Sequence, residues 1–286
     1  MSAATADAVS SELPAYGLRA LALDIDGTVL SAEHVVTERT ARAVRRAVDA
    51  GIAVFLTSAR HPAGLAPVQA DLGLQDSWFV ACQGAFVGMR ARDGQLIALS
   101  EARIDPYQAL GIEELAFDLG LSVGRFTADR WLVRKFDAPI EDEAAITGAT
   151  PEMFTGDLLD ASIAPHKMIV ACRRDDDCLA LEDFAMRLPD TLTGTFSHSY
   201  MLEVTVAGVD KLTGLQAVLR NAGITLSQTA AIGDGHNDIP MLLAAGYSFA
   251  MGNASTEVQR AARWVTAPNS HHGVADAIDL LLPQHP

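Results

Sequence analysis

The sequence predicts an α/β fold: a Rossmann-like core on a parallel sheet, interrupted by an inserted α+β cap. Three observations predict it. Short apolar runs bounded by turn residues alternate with helical patterns over residues 18–85 and again from Asp210 onward. That order builds parallel sheets with right-handed crossovers. Between the two stretches the texture changes to hairpins mixed with helices. The apolar runs of the first and last thirds also end in polar groups, and ligands of open α/β sheets bind beyond the carboxyl ends of the strands.

The first run, Leu21-Ala22-Leu23, stops at two aspartates, Asp24 and Asp26, followed by Gly27 and Thr28. It reads as a short buried strand. Thr37 to Ala50 has helical spacing, with Thr37 as a cap and Gly51 as a stop. Ile52 to Leu56 is a second buried strand, ending in Thr57-Ser58-Ala59-Arg60. Pro62 suits the first turn of a helix to Leu72, and Trp78 to Cys82 is a third strand. Arg92-Asp93-Gly94 marks a hairpin between Ala85–Met89 and Gln95–Leu99. A helix follows from Pro106, then a strand pair at Leu121–Phe126 and Arg130–Arg134, while 137–165, with three prolines, resists assignment. Lys167–Cys172, Thr191–Phe196 and Met201–Val206 read as strands around a helix at Cys178–Leu188. From Asp210 the strand–helix alternation returns, with Gln228–Ile232 running into Gly233-Asp234-Gly235-His236-Asn237-Asp238. The expected organisation is a tail at 1–16, a core at 17–85 and 201–286, and a cap at 86–200.

Bulk composition narrows the function classes. Hydrophobic residues make up 49% of the 286, enough for an extensive core. The formal net charge is −15, a surface that repels nucleic acid and anionic membranes. No run approaches the roughly 18 apolar residues of a membrane span. Residues 1–16 lack the basic start and apolar run of a signal peptide. Cys82, Cys172 and Cys178 show neither metal-ligand spacing nor an even disulfide set, which predicts a reducing, cytoplasmic setting. A monomer or small homo-oligomer is expected, and an anionic substrate can bind where local cations overcome the general field.

Four strand ends carry the candidate chemistry. Two carboxylates at the end of a buried strand are costly unless cations offset them. Asp24, fixed by the strand, can attack phosphorus and form an acyl-phosphate. Asp26, two residues on, can give a proton to the leaving group and recover it. Either aspartate alone reads equally well as a turn or cap residue; the pair does not. Thr57 and Ser58 can hold phosphate oxygens, although in isolation they read as helix caps. Lys211, near a helix start, can neutralise phosphate, although alone it reads as a surface lysine. Asp234, between two glycines, can ligate a hard cation such as Mg2+, which often bridges to substrate phosphate. His236 reads as a loop residue at the rim.

Asp24-Ile25-Asp26-Gly27-Thr28, Thr57, Lys211 and Gly233-Asp234-Gly235-His236-Asn237-Asp238, in that order with an insert before the lysine, resemble the haloacid dehalogenase (HAD) superfamily of phosphohydrolases. The insert is similar to that of the Cof-type (type IIB) subclass, and the resemblance spans about residues 18–282. The first and fourth motifs are specific together; the other two gain their weight from order. The resemblance implies Mg2+ held by Asp24, by the Asp26 backbone carbonyl and by Asp234. It implies Asp24 as nucleophile, Asp26 as general acid/base, and Thr57 and Lys211 on the transferring phosphoryl group. Asn237 would contact phosphate or orient Lys211, and Asp238 would support the lysine and the metal waters. Gln83 stands where many relatives have Asn, and His272 where they often have Asp.

The cap is expected to set specificity. Arg125, Arg130, Arg134, His166, Lys167, His198 and Tyr200 are candidates, each reading on its own as packed or solvated, and Trp131 reads as cap core. Arg60, just after the second motif, is a better substrate-side candidate. The expected activity is Mg2+-dependent hydrolysis of sugar phosphates, nucleotides or phosphorylated cofactors. A phosphomutase on the same scaffold is the alternative. A phospho-accepting signalling domain is disfavoured by Asp26, the Gly27-Thr28 pair, the insert and the length.

Overall fold

A computed structural model describes residues 17–173 and 178–282; the predicted tail at 1–16 lies outside them. The chain opens with β1 (Ala20–Asp24), a tight turn at Ile25–Val29, α1 (Glu38–Asp49), β2 (Ala53–Thr57), α2 (Pro62–Leu72) and β3 (Phe79–Ala81). Next come β4 (Phe86–Arg90), β5 (Leu96–Glu101), α3 (Pro106–Asp118), β6 (Ser122–Phe126), β7 (Trp131–Val133), α4 (Ala138–Thr147) and β8 (Glu152–Met153). Then follow β9 (Lys167–Ala171), α5 (Leu179–Met186), β10 (Leu192–His198), β11 (Met201–Val206) and α6 (Lys211–Ala222). The last elements are β12 (Thr229–Gly233), α7 (Ile239–Ala244), β13 (Tyr247–Ala250), α8 (Thr256–Ala261), β14 (Trp264–Val265) and α9 (Gly273–Leu281).

These strands form two sheets. The eight-stranded sheet has the order β14-β13-β12-β1-β2-β3-β4-β5. Its strands from β14 to β3 are parallel, and β4 and β5 add an antiparallel edge. β1 lies at the centre and is apolar on both faces, as expected of a strand covered on both sides. Leu21 and Leu23 pack toward Val44, Ala47 and Ile278 of α1 and α9, whereas Ala20 and Ala22 face the cluster of Leu215 and Val218 on α6. Strand alternation therefore directs Asp24, next in the Ala20–Ala22 series, toward the α6 side.

The six-stranded sheet has the order β10-β11-β9-β6-β7-β8 and is antiparallel except for the β7–β8 pair. Its membership differs from the predicted insert of 86–200. β4 pairs with β3, so the predicted hairpin extends the first sheet, and β11 pairs with β9 and β10 in the second. Hairpin strands join whichever edge is open next to them, and composition carries no mark of which edge that is. The unassigned stretch 137–165 contains α4, with Pro139 in its first turn, and the short β8. Cys172 and Cys178 are joined in a disulfide, where three cysteines without an even set predicted a reducing setting; Cys82 is the free, buried cysteine. Spacing alone does not reveal such a pairing, because the chain must first bring the two sulfurs together. Among the described residues no helix is long and apolar enough to cross a membrane.

Candidate active site

The site is assembled where β1, β2 and β12 end. Asp24 is the last residue of β1 and is 4% exposed. Asp210 caps α6: its carboxylate accepts from Thr213 N (2.7 Å) while its own N–H donates to Thr213 Oγ1 (2.9 Å). This reciprocal cap makes Lys211 the first helical residue and aims its chain inward. Lys211 Nζ donates to Asp24 Oδ1 at 2.6 Å and to Asp238 Oδ1 at 2.6 Å. Asp238 is fully buried, and its other oxygen accepts from the N–H groups of Asp234 (3.0 Å) and Gly235 (2.9 Å).

The first turn closes against the fourth motif. Gly27 has φ of 77°, and a Cβ there would collide with the Asp234 carboxylate. Glycine meets both demands, a left-handed backbone and a close approach. Thr28 Oγ1 then donates to Asp234 Oδ1 at 2.7 Å. Asn253, in the loop after β13, donates to Asp234 Oδ2 at 3.2 Å and to the Gly27 carbonyl at 2.9 Å.

Charge is out of balance here. Carboxylate oxygens of Asp24, Asp234 and Asp238 lie within 4.8 Å of one another, and one lysine faces all three. Burial pushes the Asp24 carboxyl well above its usual range; repulsion from Asp238 adds to this and Lys211 opposes it. Burial likewise raises Asp234 to about 6, against the hydrogen bond from Thr28. Burial would lower Lys211, but Asp238 and Asp24 outweigh it and hold the ammonium protonated. Crowded, desolvated carboxylates of this kind fit a hard divalent cation. Lys211 and two backbone N–H groups take up both Asp238 oxygens, whereas Asp24 accepts from Lys211 through one oxygen and Asp234 accepts from the neutral Thr28 and Asn253 side chains, so these two are the better placed to hold one.

Asp26 does not join this triad. Its side chain is 48% exposed, and Arg60 grips it through Nε (2.8 Å) and Nη2 (2.6 Å). The guanidinium expected on the substrate side is thus engaged by the second aspartate. Thr57 departs from expectation in another way. It is fully buried, in register with Asp24, and its hydroxyl turns to Met241 Sδ at 3.6 Å. It forms no part of the cavity wall, which at this strand end consists of Ser58, Ala59 and Arg60. The β2 strand runs one residue beyond the predicted end, so Thr57 is still strand and Ser58 is the first hydroxyl of the loop. Asn237 lines the cavity, and its amide donates to Gln83 Oε1 at 3.0 Å.

A cavity of 760 Å³ opens above Asp24, between the two sheets. Lys167, on β9, crosses it and donates to the Ala59 carbonyl (2.7 Å) and to Glu203 Oε1 (3.1 Å). Gln83 Nε2 donates to Glu203 Oε2 at 2.8 Å. Of the cap candidates, Lys167, His198 and Tyr200 line the cavity. Arg125 is instead buried against Glu113, Arg130 pairs with Glu152, and His166 bonds Glu101. Arg134 is exposed and away from the cavity wall, and Trp131 stacks on Phe126 in the sheet's own core. His61 also lines the cavity; burial, then Lys167 and Arg60, pushes it down to about 4, so it is neutral at ordinary pH. His236 pairs with Glu257 at the exposed rim. His272 adopts φ of 63° and bonds Thr37, away from the cavity.

A family model described as haloacid dehalogenase-like hydrolase matches residues 21–278. The chain belongs to that family. This hydrolase is 26% identical over 289 residues to the 5-amino-6-(5-phospho-D-ribitylamino)uracil phosphatase YwtE of Bacillus subtilis, covering 93% of this chain and 98% of that protein. A haloacid dehalogenase-like hydrolase from Bacteroides thetaiotaomicron superposes with a TM-score of 0.83 at 25% identity, over 93% of this chain and all of that one. The phosphatase BT1666 from the same organism gives 0.78 at 28% identity, over 93% and 96%. The hydrolase is a phosphatase of the Cof-type branch, with the family's α/β fold.

Four residues of the site, Asn253, Gln83, Glu143 and Glu203, are not among the candidates that the sequence offers. Asn253 follows a buried strand in Met251-Gly252-Asn253, a fifth polar strand end that could have been found by the same rule. Gln83 departs from the family pattern, but nothing local in the sequence marks it as facing the cavity. Glu143 and Glu203 carry no local signal, since a helix face and a strand alternation look alike whether or not a cavity lies opposite.

Proposed function

We propose that this phosphatase hydrolyses small phosphomonoesters in two steps, with Mg2+, carrying the phosphoryl group on Asp24. The observation that carries the reading is the Asp24 carboxylate, buried at a strand end and held by Lys211 at 2.6 Å beneath a cavity of 760 Å³. Asp24 and Asp234, with the Asp26 backbone carbonyl, would hold the cation. Once bound, it would offset carboxylate repulsion and charge on the phosphoryl oxygens, the main demand of phosphoryl transfer.

The chain's own groups account for the rest. Lys211 opposes the protonation that burial favours and orients Asp24, so that its second oxygen can reach phosphorus in the cavity. That oxygen forms the new P–O bond as the ester P–O bond breaks. Asp26 gives its proton to the departing oxygen, then takes one from the water that attacks the acyl-phosphate. Inorganic phosphate leaves and Asp24 is regenerated. The Ser58 hydroxyl and the backbone N–H groups after it bind phosphate oxygens, and Asp238 positions Lys211. The six-stranded sheet acts as the cap: it covers the cavity and excludes water from the first step. The cavity volume suits a drug-sized or smaller metabolite, roughly 300–1,000 Å³ being usual for such sites. The name of the B. subtilis relative supports a phosphorylated polyol or heterocycle as the class.

The test is phosphate release from a panel of sugar phosphates, nucleotides and phosphorylated cofactors, with Mg2+ and with EDTA. Release that needs the metal supports the reading. Isomerised product without release would replace hydrolysis with phosphomutase chemistry, and metal-independent turnover would contradict the site.

A further inference from the structure

Eight charged side chains line the cavity, and seven are satisfied by the protein itself. Lys211 holds Asp24; Arg60 holds Asp26; Thr28 and Asn253 hold Asp234; Lys167 and Gln83 hold Glu203. The eighth is Glu143, on α4 of the cap. Its carboxyl has no hydrogen bond or ion pair among the described residues. Thr147, one turn on, spends its own hydroxyl on the Glu143 carbonyl at 2.7 Å. The carboxyl is half-buried, and its electrostatic neighbours are Lys167, Glu203, Asp26 and Arg60, so it faces the space above the reacting end of the site. Burial, followed by the opposing pull of Lys167, leaves it at about 7. A carboxyl in that condition both accepts and donates hydrogen bonds near neutral pH.

An unpaired carboxyl turned into a cavity is costly unless a ligand satisfies it. It cannot serve the phosphate, whose charge it would repel. It therefore suits the other end of the substrate. We propose that Glu143 is a specificity-determining residue that reads hydroxyl or amino donors on the leaving group. The substrate class is then a phosphomonoester of a polyol, sugar or aminated ring, and not one of a plain alkyl or aryl alcohol. The inference rests on the phosphatase reading above and names the class of substrate for the same site.

The comparison that tests it uses ribose 5-phosphate and n-pentyl phosphate, matched in length but not in hydroxyls. The wild-type enzyme is expected to prefer ribose 5-phosphate by about tenfold or more in kcat/KM, the discrimination that a buried group left unpaired provides. In Glu143→Ala the ratio should fall to within about twofold of unity, through a higher KM for ribose 5-phosphate with kcat less affected. Glu143→Gln, which keeps an acceptor and donors, should retain part of the preference. Melting midpoints of both variants check that they fold. A preference that survives Glu143→Ala, or is absent from the wild type, overturns the assignment while leaving the phosphatase reading intact. If the wild type releases phosphate from neither ester nor from any of the wider panel, the phosphatase reading itself fails.

Discussion

Gln83 donates to Glu203 at 2.8 Å, tying the loop after β3 in the first sheet to β11 in the second. Glu203 also holds Lys167, and both members of that ion pair are buried. Glu203→Ala would leave the Lys167 ammonium buried without its ion-pair partner, with the Ala59 carbonyl as acceptor and the Phe126 ring beside it. A loss of about 3–5 kcal/mol in unfolding free energy is expected, as for other buried pairs broken on one side. Replacing both residues together with apolar ones should recover much of it. Chemical denaturation of the single and double variants checks this, and a single variant as stable as the wild type would show that the pair contributes nothing.

Asp24→Asn should abolish phosphate release, by about a thousandfold or more, while the fold survives. The same change relieves carboxylate crowding. The folded Asp24 carboxyl is raised above its unfolded value, so its contribution to stability is lost as pH rises, and the ionised form is a burden at neutral pH. In EDTA the variant should therefore melt at or above the wild type. A lower midpoint would show that Lys211 depends on Asp24 more than Asp24 is penalised.

Thr57 and Ser58 are separable. Thr57→Val removes a hydroxyl that faces Met241, and turnover should stay within about threefold of the wild type. Ser58→Ala removes the hydroxyl on the cavity wall and should cost about tenfold to a hundredfold in kcat/KM. Steady-state kinetics of both variants decide it; the reverse ranking would restore Thr57 as the phosphate ligand.

Arg60 holds Asp26 through two hydrogen bonds. Asp26→Asn should slow alkyl phosphates more than aryl phosphates, because a good leaving group needs less protonation. If Arg60 orients that carboxyl, Arg60→Ala should reproduce the same selectivity in weaker form. Equal losses on both ester types in either variant would assign the pair another role.

Asp234 predicts a pH dependence. Its carboxyl sits at about 6 in the folded chain, above its unfolded value. Protonated Asp234 favours the fold below the unfolded value near 3.9, and that contribution disappears as pH rises through about 6. A cation needs the ionised form, so its affinity should rise across the same window. The gain in melting midpoint produced by Mg2+ over EDTA is expected to grow from about pH 5 to about pH 7. A gain that does not change with pH would remove Asp234 from the metal site.

The sequence by itself determined the sheet-forming runs, their alternation with helices, the strand ends at or beyond which Asp24, Asp26, Asp234 and Asp238 lie, and the helix start that carries Lys211. These are local matters: apolar runs of strand length, caps such as Asp210, and glycines such as Gly27 leave their mark within a few residues. The tertiary structure decided what crosses between elements. It turned Thr57 toward Met241, gave Asp26 to Arg60, joined Cys172 to Cys178, placed β4 and β11 in sheets other than those expected, and left Glu143 facing the cavity. The reason is that a side chain's partner depends on which elements pack opposite it. That depends on contacts far apart in the chain, which no window of sequence contains.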